Sequence, residues 1–64
     1  MSFDEFADQV EESLKTSEGW TEIELADFAS PRIGVLIHAY KGGASIEEAA
    51  RSMLKSPPAV QHFG

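Results

Sequence analysis

Eleven carboxylates and two histidines are the residues here that could do acid–base or metal chemistry, and cysteine is absent. Their spacing argues against both. Glu47 and Glu48 are adjacent, so on a helix they diverge by about 100° and cannot serve one reacting atom as an acid/base pair. Glu48 lies three residues after Ser45 and is explained as half of a capping box. The acids between Asp4 and Glu12 lack the D-x-[DN]-x-[DN]-G order of a calcium loop. His38 and His62 are far apart in sequence, and His38 falls one residue from the apolar face of its helix, the place of a boundary packing residue. Lys41-Gly42-Gly43 follows a helix and lacks the G-x-x-x-x-G-K-[ST] pattern of a phosphate loop. No catalytic set, cofactor or metal site is expected. A chain this short also has little volume for a pocket of about 300 Å³ or more. The expectation is a protein that is not an enzyme.

What the carboxylates can do is bind. Residues 1–29 carry nine acids and one base, a net −8, and residues 30–64 carry four bases and two acids, a net +2, giving −6 for the chain. One reading of the acidic half is a solvated helix face that keeps a small protein soluble. The other is a surface for a basic protein, such as a nucleic-acid-binding groove, in which carboxylates imitate phosphate spacing and speed encounter. The candidate contacts are Asp4, Asp8, Glu11, Glu12 and Glu18, with Trp20 beside them in the SEGW turn, because tryptophan is enriched at binding hot spots.

Helix start signals place these residues. Ser2 and Glu5 form a capping box, with Met1 and Phe6 set for a hydrophobic staple. Phe3, Phe6, Val10 and Leu14 then make an apolar stripe. A helix is predicted over 3–15, ended by Thr16, Ser17 and Gly19. Thr21 and Glu24 form a second box, with Trp20 and Leu25 as a staple, and predict a short helix over 22–28; an extended TEIEL segment is the alternative. Ser30 and Pro31 start a helix over 31–41, with Ile33, Leu36, Ile37 and Tyr40 on its inner face and Gly42–Gly43 stopping it. Phe28 also falls at a core position. Ser45 and Glu48 start a helix over 46–54 whose apolar face is Ile46, Ala49, Ala50, Met53 and Leu54. Ser56 and Pro57 start a last helix over 57–62, with Val60 and Phe63 toward the core. Leu36, Ile37, Ala50, Met53 and Val60 are the predicted centre.

The second half carries a family likeness. GASIEEAARSMLKSPPAVQHF (43–63) resembles the second and third helices of a helix-turn-helix, of the type in response-regulator output domains and sigma-factor promoter-reading domains. Gly43, Ser45, Glu48, Ala50, Met53, Ser56 and Val60 occupy that pattern's places, and Ile33–Gly42 fits the preceding helix. The likeness covers residues 33–63, about half of the chain. It departs at Leu54, where the family has a turn glycine, at Lys55, where it has an apolar plug, and at Pro57–Pro58. The resemblance implies a DNA-binding regulator, with Lys55, Ser56, Gln61 and His62 on or beside the recognition helix. Non-specific DNA affinity comes from bases neutralising phosphates, and four bases beside a −8 segment make a weak stripe. That alternative therefore calls for a homodimer. In composition the chain is also similar in kind to small bacteriophage host-takeover and anti-defence proteins, including anti-CRISPR inhibitors, which implies stoichiometric inhibition.

Length and composition bound the rest. The 64 residues make one domain, 1–64, with an acidic half and a helix-turn-helix-like half, in the size range where one core is marginal. The longest apolar run, Val35–Ile37, is far short of the roughly 20 residues of a membrane helix, and the N-terminus lacks a signal-peptide pattern. A soluble, cytoplasmic chain is expected, folded as an all-α compact bundle of four to five short helices.

Overall fold

The computed structural model describes residues 1–58, and all regular structure among them is helical. Helix α1 spans Phe3–Glu18, α2 Glu22–Ala29, a 3-10 turn Ser30–Arg32, α3 Ile33–Lys41 and α4 Ile46–Lys55. The extended alternative for TEIEL is ruled out.

Three of the predicted caps form. The Ser2 hydroxyl accepts from the Glu5 N–H at 3.2 Å, half of the expected box. The Thr21–Glu24 and Ser45–Glu48 boxes are both complete, with bonds of 3.0–3.2 Å and 3.1–3.3 Å. Each satisfies two N–H groups that a helix start leaves orphaned. Helix α1 runs one turn beyond the predicted Lys15. Thr16 and Ser17 do not stop it, because the Ser17 hydroxyl donates back to the Leu14 carbonyl. Gly19 does, at φ 70°, a left-handed conformation that costs glycine nothing.

No loop separates α2 from α3. Ser30 was expected to cap a new helix; instead it is itself helical, at φ −53° and ψ −50°, and the chain passes through the 3-10 turn into α3 as one bent rod. Pro31 makes the bend, since it has no N–H to give the end of α2. Arg32 repairs it. Its Nη1 donates to the Phe28 carbonyl at 2.8 Å, its Nε donates to the Ser56 carbonyl at 2.9 Å, and its guanidinium lies 3.9 Å from the Phe28 ring centroid. Phe28 in turn packs on Trp20, with centroids 4.8 Å apart. One side chain thus ties the bend to the far end of α4. Gly42–Ser45 closes the other end of the α3–α4 hairpin, where Gly43 has φ 75° and the Ala44 N–H donates to the Ala39 carbonyl.

The core is one cluster: Phe6, Val10 and Leu14 of α1, Ala29, Leu36 and Ala39 of the bent rod, and Ala49, Ala50 and Met53 of α4. Tyr40 closes it at the start of α1, with Phe3 and Phe6 each 5.4 Å away and its hydroxyl donating to the Met1 carbonyl. Met1 itself stays exposed, so the staple to Phe6 is not made. The stripe of α1 lies where its periodicity puts it. The inner face of α3 does not: Leu36 and Ala39 are buried, while Ile33 is 45% and Ile37 38% exposed. His38 is exposed rather than packed at the boundary. Ile33–Tyr40 is apolar nearly all round, so hydrophobicity leaves its rotation open, and small Ala39 permits the closer helix approach. Leu54 is 44% exposed for a related reason, at the edge of a face that Ile46, Ala49, Ala50 and Met53 already fill.

The helix predicted over 57–62 does not begin at Pro57. Ser56 is extended (φ −88°, ψ 138°), the conformation a following proline enforces. Its hydroxyl donates back to the Ser52 carbonyl at 2.7 Å instead of capping forward. Pro57 and Pro58 are not helical. Residues 59–62 of that prediction, with the core positions Val60 and Phe63, lie outside the described residues. No helix among the described residues is long and apolar enough to cross a membrane.

Candidate functional site

A cleft of about 570 Å³ runs between α1 and the bent rod. One wall is acidic: Asp8, Glu11 and Glu12 come from the flank of α1 next to its buried stripe. The floor is mostly apolar: Leu25, Ala26 and Ala29 of α2 continue across the bend, past Ser30, into Ile33 of α3. Glu22 and Lys15 meet at one end, where Lys15 Nζ lies 3.5 Å from Glu22 Oε1. That is the one ion pair among the described residues. Its Glu22 side is almost fully solvated, so the pair contributes little to stability. The volume exceeds the roughly 300 Å³ that a chain this short was expected to lack room for; the space is a surface trough with exposed Asp8, Glu12, Ala26 and Ile33 on its sides.

The electrostatics are one-sided. Partial burial pushes the Glu11 carboxyl above its ordinary value, and the charge of Asp8 adds to the rise. A raised folded-state value means that the folded chain holds this proton more tightly than the unfolded chain does. Ionised Glu11 therefore costs stability at neutral pH. The cost fades as pH falls through the raised value and is gone below the ordinary 4.5. Glu11→Gln is expected to raise the thermal midpoint at neutral pH by a few degrees at most and to leave it unchanged in acid. Melting curves of both chains at the two pH values check this; an equal difference at both would show that ionisation is not the cause.

Of the residues predicted to touch a partner, the cleft brings together Asp8, Glu11 and Glu12. Asp4 is one helical turn before Asp8 on the same flank but does not line the cleft. Glu18 is exposed at the end of α1 and does not line the cleft. Trp20 is half-buried, with its ring engaged on Phe28. The sequence reading missed Glu22, Leu25, Ala26, Ala29 and Ile33. They recur at i, i+3, i+4, i+7 and i+11, one helical face, but a helix start assumed at Ser30 cut that stripe in two.

Of the residues of the DNA alternative, Lys55 and Ser56 fall among the described residues. Lys55 is exposed in the last turn of α4, but Ser56 spends its hydroxyl on Ser52 and its carbonyl on Arg32. Gln61 and His62 lie outside the described residues. Arg32, one of the four bases of the second half, is engaged internally. No group of three or more histidine, aspartate or glutamate side chains among the described residues could hold a metal ion. No family model, curated protein or solved structure matches the chain.

Proposed function

We propose that this chain is a non-catalytic, stoichiometric protein-binding module that engages a basic protein surface through the acidic flank of α1. The observation that carries the reading is the convergence of Asp8, Glu11, Glu12 and Glu22 on one cleft, with Lys15 as the one cation lining it. Carboxylates held on one side of a trough make the local potential negative and steer a cationic partner to it. Where that partner is itself a nucleic-acid-binding protein, occupation of its basic groove would be inhibitory.

A second reading rests on a separate observation. The α3–α4 hairpin, with its Gly42–Ser45 turn and complete Ser45–Glu48 box, keeps a helix-turn-helix regulator, acting on DNA as a dimer, as the alternative. Charge sets the order of the two, since a duplex would be repelled by the −8 half.

Replacing Asp8, Glu11 and Glu12 with Ser separates them. Wild type is expected to retain a basic protein from a nuclease-treated lysate and release it at raised salt. The triple variant is expected to lose that protein while keeping its helical circular dichroism. Tight, salt-sensitive binding of a DNA duplex by wild type, unchanged or strengthened in the variant, would favour the regulator instead.

A further inference from the structure

Resting on the acidic-flank reading, we infer that the cleft receives a single amphipathic helix of the partner, whose apolar stripe is bordered by lysine or arginine. The acids alone would suit any cationic surface; the floor narrows the choice. Leu25, Ala26, Ala29 and Ile33 form an apolar strip along the bent rod, and Ile33 is 45% exposed. Ile37, 38% exposed, stands one helical turn further along α3. Ala26, Ile33 and Ile37 are the exposed members of this strip; Leu25 is half-buried and Ala29 belongs to the core.

The lining is itself helical on both sides: it follows α1 from Asp8 to Lys15 and the other wall from Glu22 across the bend to Ile33. Small, exposed Ala26 leaves room for a second helix axis to come close, while Leu25 and Ile33 offer ridges on which apolar side chains at i, i+3 and i+4 can seat. An extended peptide fits less well, because a helical cleft offers no strand edge to pair its backbone groups. A nucleic acid is repelled by Asp8, Glu11 and Glu12. A second copy of this chain would bring its own acidic half against the acidic wall, at like-charge cost. A helix with apolar residues on the floor and cations on the α1 side satisfies both surfaces at once.

The probes are two synthetic peptides of about sixteen residues, about four turns, made of leucine, alanine and lysine in identical proportions. One places leucines at i, i+4 and i+7 with lysines on one border; the other is its scrambled isomer. Calorimetric titration into the full chain is expected to show the amphipathic isomer bound about tenfold more tightly. Ile33→Ser should erase that preference, and so should Ala26→Lys, which sets a cation on the floor; both positions are exposed, so the melting curve should hold. Asp8→Ser with Glu12→Ser should weaken both peptides alike and flatten their salt dependence. Equal affinity for the isomers, or a preference that survives both floor variants, overturns the helix inference. If the isomers bind equally and both need Asp8 and Glu12, the acidic-flank reading stands without it. Binding of neither peptide overturns the inference as well, and lysate capture then judges the acidic flank separately. Concentration-dependent dimerisation abolished by Ala26→Lys would make the occupant a second copy and also overturns it.

Discussion

Leu36→Ala is expected to remove between about two fifths and all of the folding stability. Leu36 is fully buried on α3, the helix that touches both α1 and α4. Removing its isobutyl group loses transfer energy and leaves a cavity, together about 2–5 kcal/mol. A domain of this size holds roughly 5 kcal/mol in all. Each kcal/mol moves the midpoint of so small a domain by roughly 4–8 °C, so the melting curve should fall by at least about 10 °C. Ile37→Ala is the control. It removes a comparable side chain one residue away, but from an exposed position, and should cost under about 1 kcal/mol. Urea titrations of the two variants decide the rotation of α3. Equal losses would mean that α3 does not present Leu36 inward and Ile37 outward.

Arg32→Met is expected to be nearly as damaging, although Arg32 is only half-buried. Methionine keeps the apolar stem and removes the fork. Lost with the fork are the bonds to the Phe28 and Ser56 carbonyls and the contact with the Phe28 ring. Hydrogen bonds to a charged group contribute about 1.5–3 kcal/mol each, and a partly exposed cation–π contact adds about 0.5–1 kcal/mol. Partial solvent access argues for the lower end, a net of about 3–4 kcal/mol. Arg32→Lys should fall between, because one ammonium cannot span two carbonyls as a planar fork does. Trp20 is the only tryptophan and packs on Phe28, so its fluorescence should shift in the folded variant as well as report the unfolding midpoint. An unchanged midpoint and emission in Arg32→Met would show that the tie contributes nothing.

Local chemistry was legible in the sequence. Ser2, Thr21 and Ser45 cap where their spacing with Glu5, Glu24 and Glu48 puts them, because a capping box needs only neighbours. The stripe Phe6–Val10–Leu14 was legible too, since polar residues surround it and fix its direction. Much of what failed depended on contacts between distant segments. The rotation of α3 is set by how closely α1 and α4 can approach Ala39, which Ile33–Tyr40 does not reveal on its own. Ser30-Pro31 has the look of a helix start, yet Arg32 makes continuation possible by reaching Ser56, twenty-four residues away. Ser56-Pro57 has the same look, and there Ser52 takes the hydroxyl. The acidic wall was foreseen as a row of carboxylates. The floor facing it was not, because it exists only when α2 and α3 are read as one rod.

That rod also bears on how quickly the chain can find its shape. Helix α2 passes into α3 with nothing to search between them, and four residues, Gly42–Ser45, turn α3 into α4. Most of the second half can therefore assemble from near neighbours, with the Arg32–Ser56 bond as its latch. The docking of α1 onto α3 and α4 is what must close the longest stretches of chain. Folding in the microsecond-to-millisecond range, as in other bundles dominated by local contacts, is the consequence.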